Sequence, residues 1–88
     1  MKFTLDIINR KGLHARASAR FVETVERRDA TASVTRNGET VSGDSIMGLL
    51  MLEAAQGTSI DVVTHGPDSE LLADDLKALV ADRFGEGE

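Results

Sequence analysis

The sequence predicts an α/β fold of the open-faced sandwich kind, with a four-stranded, mostly antiparallel sheet covered on one face by three helices in the order β-α-β-β-α-β-α. Three observations carry that expectation. Residues 2–8 and 58–64 alternate apolar and polar side chains with the period of a half-buried strand, which implies one solvated sheet face. Other stretches repeat their apolar residues at helical spacing. Asn37-Gly38 separates two short alternating runs, a strong signature of a two-residue hairpin because both residues accept positive φ at low cost. A right-handed helical crossover between the first and second strands leaves room between them for the fourth.

Each element has its own justification. In residues 2–8, Phe3, Leu5 and Ile7 share one face, and Thr4 and Asp6 share the other. The polar stretch Asn9-Arg10-Lys11-Gly12 leads into a helix over residues 15–28. Its buried stripe is expected at Ala15, Ala19, Val22 and Val25 with Phe21 at the border, and Arg27-Arg28 suits the negative end of the helix dipole. Residues 31–36 and 39–42 form the hairpin. A two-residue loop sets Arg36 opposite Glu39, Thr35 opposite Thr40 and Val34 opposite Val41, giving a charge pair and an apolar pair, while Ala32 extends the core-facing side.

After Gly43-Asp44, Ser45 is placed to cap a second helix. The run Ile46-Met47-Gly48-Leu49-Leu50-Met51-Leu52 is too crowded with apolar residues for one buried face of a short helix, so part of it faces outward. Gln56-Gly57 ends that segment. In residues 58–64, Ile60, Val62 and Thr64 point inward against outward Asp61 and Val63. Gly66-Pro67 is a turn, Asp68 or Ser69 caps the last helix, and Leu72, Leu76, Leu79, Val80 and Phe84 follow helical spacing until Gly85. The acidic pair Asp74-Asp75 is assigned to a solvated helix face.

The whole length, residues 1–88, suits one small domain with a single core. Without cysteine there is no disulfide framework and no thiolate metal site, so packing must supply the stability. The N-terminal stretch lacks the apolar core of a signal peptide and nothing approaches membrane-spanning length, so a cytoplasmic protein with no membrane partner is expected. A net charge of −5 and the lack of Trp and Tyr argue against a nucleic-acid partner. The charge is unevenly spread, with a net +2 in residues 1–44 and −7 in residues 45–88. His14 and His65 lie far apart with no carboxylates at ligand spacing, so no metal and no cofactor are expected, and His65 is given no chemistry. No carboxylate pair or Ser/His/Asp set is persuasive.

The chemistry concentrates in Gly12-Leu13-His14-Ala15-Arg16-Ala17-Ser18. There a glycine turn releases His14 at or next to a helix N-cap. A helix start presents unpaired N–H groups and the positive end of the dipole, which together form an anion site. Neutral imidazole is a usable nucleophile, and Arg16 can offer phosphate oxygens a planar fork of donors. Arg10, Lys11 and Arg20 extend a positive rim for a phosphorylated or acidic partner, although all three also fit plain solvated charges. A lone histidine at a helix start is also compatible with a purely structural role.

From Gly12 to Arg16, followed by Phe21-Val22, the sequence resembles the active-site signature of the histidine-containing phosphocarrier (HPr) family of the bacterial phosphotransferase system. The segment from Ser45-Ile46-Met47-Gly48 through Leu52-Glu53-Ala54-Ala55-Gln56-Gly57 is similar to that family's second signature. The resemblance covers essentially the whole chain. It implies strand order 1-4-2-3 and a monomeric carrier that is not itself an enzyme. Its His14 would take phosphate on Nδ1 from enzyme I and pass it to an enzyme IIA-type acceptor in sugar transport. Arg16 would clamp the phosphate. Ser45 would be both a helix cap and a regulatory phosphosite served by a serine kinase and phosphorylase, although Asp44 stands where many members have lysine. Ile46, Met47 and Leu50 would form an exposed docking patch, against an arrangement that buries two of the three. Alanine at position 17, where the family usually has proline, leaves the helix possible and adds an N–H donor. Two other readings stay open: a regulatory module of the nitrogen-related branch acting by docking, towards which Ala17 and Asp44 lean, and a split-βαβ ligand-binding domain with a structural His14.

Overall fold

The computed structural model describes all residues, 1–88. The chain runs β1 (Lys2–Asp6), α1 (Ala15–Glu26), β2 (Thr31–Arg36), β3 (Glu39–Ser42), α2 (Ile46–Met51), β4 (Ser59–His65) and α3 (Ser69–Ala81), then a 3₁₀ turn at Arg83–Gly85. The sheet order is β1-β4-β2-β3, and every paired neighbour is antiparallel. Since β1 and β2 are each antiparallel to β4, they run parallel to one another with α1 as the crossover, as the order of elements requires. Pairing continues past Asp6: Ile7 N–H donates to Thr58 O at 2.8 Å and Gly57 N–H to Ile7 O at 2.8 Å.

The hairpin register is the expected one, Arg36 opposite Glu39, Thr35 opposite Thr40 and Val34 opposite Val41, with Asn37 and Gly38 both at positive φ. The expected charge pair does not form. Arg36 Nη1 donates instead to Leu52 O at 2.9 Å, which fastens the hairpin to the carbonyls that the end of α2 leaves without helical partners.

Leu5, Ile7, Ala32, Val34, Ile60 and Val62 form the inner sheet face and pack against apolar residues of the three helices. The opposite face is polar. Thr4 Oγ1 donates to Asp61 at 2.8 Å, Ser59 Oγ donates to Asp6 at 2.7 Å, and the Thr35 and Thr40 hydroxyls meet at 2.7 Å. That difference between faces explains why the strands alternate.

Three helical expectations need correction. In α1 the buried stripe runs through Ala17, Phe21 and Val25 with Ser18 and Val22, whereas Ala15 is exposed and Ala19 only half-buried. The expected stripe is out of phase at the start of the helix, where Ala17 and Ser18 are buried in place of Ala15 and Ala19. Ser18 is fully buried, and its hydroxyl donates to Leu13 O at 3.2 Å, which makes its burial tolerable. At the other end of the chain, α3 stops at Ala81, and Phe84 reaches the core from a turn in which Arg83 and Phe84 have φ 54° and 55°. Asp75 is half-buried rather than fully solvated. It receives Arg28 Nε at 2.7 Å and Nη2 at 3.3 Å, a two-point ion pair joining α3 to the residues that follow α1.

Candidate functional site

The loop between β1 and α1 is fixed by its backbone. Gly12 has φ 66°, its N–H donates to Asn9 O at 3.1 Å, and the next amide, Leu13 N–H, donates to Ala54 O at 2.9 Å. A Cβ at position 12 would lie 2.6 Å from Ala54 O, so both the left-handed conformation and the close approach require glycine. The two signature segments identified in sequence are therefore physically joined here. This contact places His14 at the N-cap of α1 in an extended conformation, and its carbonyl accepts the first helical bond from Ser18 N–H at 2.8 Å. The amides of Ala15, Arg16 and Ala17 precede that bond and are the free donors of the helix start. Ala17 leaves the helix start intact, in keeping with the tolerance expected there.

The His14 side chain does not cap the helix. Its Nε2 meets Glu86 Oε2, a partner 72 residues away. Asn9 Nδ2 holds the other carboxylate oxygen, Glu86 Oε1, at 2.9 Å and also donates to Gly12 O at 2.8 Å. Both of those neighbours are acceptors, which fixes which end of the Asn9 amide faces them. Burial pushes the Glu86 carboxyl up. The hydrogen bonds from Asn9 and His14, together with the charges of His14 and Lys11, outweigh that effect and leave it below its ordinary value.

A polar cleft of about 320 Å³ opens beside the imidazole, lined by Lys11, His14, Arg16, Arg20, Gly85, Glu86 and Glu88, with no apolar residue among them. Lys11, Arg16 and Arg20 make no ion pair. A Cβ at Gly85 would lie 2.7 Å from Arg20 Nη1, so the C-terminal turn rests directly against that guanidinium. Arg10 lies outside the cleft lining and is taken up by the tail: its N–H donates to Glu88 O at 3.1 Å and its guanidinium pairs with the Glu88 side chain at 3.7 Å. The structure thus brings Lys11, Arg16 and Arg20 together around His14 and directs Arg10 elsewhere.

Sequence reasoning missed Asn9, Glu86 and Glu88. Glu86 lies beyond the last helix in Gly85-Glu86-Gly87-Glu88, where nothing local distinguishes a ligand of the imidazole from a solvated terminus. Asn9 reads as an ordinary turn residue, and only its complete burial marks it out.

Ser45 is the N-cap of α2, and its Oγ accepts Gly48 N–H at 3.0 Å. Beyond it, Ile46 and Met47 are 40% and 69% exposed, while Leu50 is half-buried and Leu49 takes the core position. Met51, 63% exposed, stands one turn after Met47 and enlarges the apolar surface that sequence placed at Ile46, Met47 and Leu50. No group of three or more His, Cys, Asp or Glu side chains is arranged to hold a metal ion, and no helix is long and apolar enough to cross a membrane.

Comparison with known proteins decides the family. A family model described as the PTS HPr component phosphorylation site matches residues 1–82. The chain belongs to the HPr family. It is 46% identical over 88 residues to the phosphocarrier protein HPr of Neisseria meningitidis serogroup A, covering 100% of this chain and 99% of that one. It is 46% identical over 82 residues to the HPr of Cupriavidus necator, covering 93% and 92%. Among solved structures, the HPr of Thermoanaerobacter tengcongensis superposes with a TM-score of 0.93 at 34% identity, covering 98% of this chain and 97% of that chain. HPr proteins are phosphocarriers of the phosphotransferase system, moving a phosphoryl group from enzyme I to an enzyme IIA acceptor without being enzymes themselves. A carrier needs an accessible nucleophile and an anion site, and half-buried His14 lies beside a cleft that Lys11, Arg16 and Arg20 line.

Proposed function

We propose that His14 is the residue that carries the phosphoryl group in this HPr-family chain. The observation that supports this most is the position of its imidazole at the N-cap of α1, unused as a cap, beside a cleft lined by Lys11, Arg16 and Arg20. The Nδ1 lone pair attacks phosphorus on phospho-enzyme I. As the N–P bond forms, the bond from phosphorus to its donor atom breaks and its electron pair stays with that atom. The free amides at the start of α1 and the Arg16 fork receive the phosphoryl oxygens, and the helix dipole favours their charge. Transfer onward to an enzyme IIA-type acceptor repeats the same exchange with the partner as nucleophile. Ile46, Met47 and Met51 provide the apolar part of the docking surface, with methionine suited to partners of different shape. The reading places a monomer in the cytoplasm, with Ser45 acting chiefly as the cap of α2.

Incubation with phosphoenolpyruvate and enzyme I, followed by intact mass and acid treatment, tests the assignment. Wild type should gain one acid-labile phosphoryl group and His14→Ala none, with unchanged circular dichroism. Acid-labile phosphate on the alanine variant would remove His14 from the role.

A further inference from the structure

We infer that Glu86, clamped by Asn9, is a positioning residue that selects the reactive nitrogen of His14 and stabilises the ring once it is phosphorylated. This rests on the reading of His14 as the phosphoryl acceptor, and the observations behind it are separate from that reading. The Glu86 side chain is only 12% exposed although it belongs to the C-terminal tail. It is held at both oxygens: Oε1 accepts from Asn9 Nδ2 at 2.9 Å and Oε2 meets His14 Nε2. Asn9 is itself fully buried and is fixed by its second bond to Gly12 O at 2.8 Å, in the turn that sets the start of α1. A flexible tail would not order a carboxylate in this way without such a clamp.

A carboxylate accepts hydrogen bonds and cannot donate one, so its contact with Nε2 places the imidazole proton there. In the neutral ring that leaves the only free lone pair on Nδ1. When Nδ1 forms its bond to phosphorus, Nε2 keeps its proton and the ring gains one positive charge. The Glu86 carboxylate faces that charge in a partly buried setting, where the attraction is stronger than in water. When the phosphoryl group leaves, the N–P electron pair returns to Nδ1 and the ring is neutral again, with the proton still held by Glu86. The carboxylate neither gains nor loses a proton in the cycle.

The test compares wild type with Glu86→Gln and Glu86→Ala by ¹⁵N NMR of the His14 ring at neutral pH and by the initial rate of loading from phospho-enzyme I. Wild type should show a protonated Nε2 and an unprotonated Nδ1. Glutamine retains an acceptor oxygen, so it should keep most of that tautomer while loading more slowly through loss of the charge. Alanine should give a tautomer mixture and slow loading by about 10- to 100-fold, the worth of one charge-assisted hydrogen bond. A ring spectrum or loading rate in Glu86→Ala that matches wild type would overturn the inference. Failure of the wild-type chain to load at all would instead overturn the role of His14, because the ring spectra do not depend on phosphorylation.

Discussion

At the scale of single residues, the proposed site leaves Nδ1 of His14 and the Arg16 guanidinium without a protein partner, while Nε2 of His14 is held by Glu86. His14 sits at an N-cap without acting as the cap, and Arg16 has no carboxylate partner. Arg16→Lys should therefore fold as wild type and load phosphate more slowly, since it keeps the charge and loses the planar fork. Equal loading rates would show Arg16 to be only a solvated charge. Gly12 is the residue on which the site's geometry depends most. Gly12→Ala should lower stability by more than about 1 kcal/mol, because alanine must adopt positive φ and also displace the Ala54 carbonyl. Urea unfolding measures this, and a variant as stable as wild type would show that the loop can relax without cost. The glycine turn and the placement of His14 and Arg16 at the start of α1 were legible in sequence because they are set locally. The contact of Glu86 with His14 was not legible, because it depends entirely on where the tail packs.

At the scale of elements, α2 combines a cap, a short apolar helix and a strained end. Ser45→Ala should cost about 0.5–2 kcal/mol through loss of the bond from Gly48 N–H, measured by thermal or urea unfolding. Glu53 follows the C-cap with φ 52°, a conformation glycine adopts freely, so Glu53→Gly should leave stability unchanged or raise it by up to about 1 kcal/mol. A clear loss of stability would show that the Glu53 side chain has a stabilising contact of its own. Alternation placed Ile60, Val62 and Thr64 inward, and the hairpin fixed its own register, since a slip of one residue reverses every side chain. Helix phase was harder to read. A serine that bonds to a backbone carbonyl is as readily buried as an alanine, and no pattern of apolar residues reveals that bond. The exit of α3 was hidden for a similar reason, since Phe84 keeps helical spacing in sequence while occupying a left-handed turn.

At the scale of the whole molecule, carboxylates tie the C-terminal part of the chain to its N-terminal part. Glu86 joins the tail to the site, and Asp75 joins α3 to Arg28, whose hydrogen bond and charge outweigh the effect of burial and hold the Asp75 carboxyl below its ordinary value. Both carboxyls are shifted down, so the unfolded chain binds more protons than the folded one in acid. Their contribution to stability is present above the ordinary values of 4.5 for Glu86 and 3.8 for Asp75, and is lost as pH falls through the lower values of the folded state. Glu86→Gln with Asp75→Asn should make Tm fall less steeply than wild type below about pH 4; parallel curves would mean that neither pair matters to acid stability. The order of elements was legible because each carries its own periodicity, and the strand order came with the family resemblance. The central claim, that this chain carries a phosphoryl group on His14 between two partners, is tested most directly by a single-turnover chase. The chain is loaded by enzyme I, separated from it and mixed with an enzyme IIA acceptor. The account predicts that acid-labile phosphate leaves the chain and appears in equal amount on the acceptor, with no signal from His14→Ala; phosphate that stays on the chain or is released to solvent would contradict it.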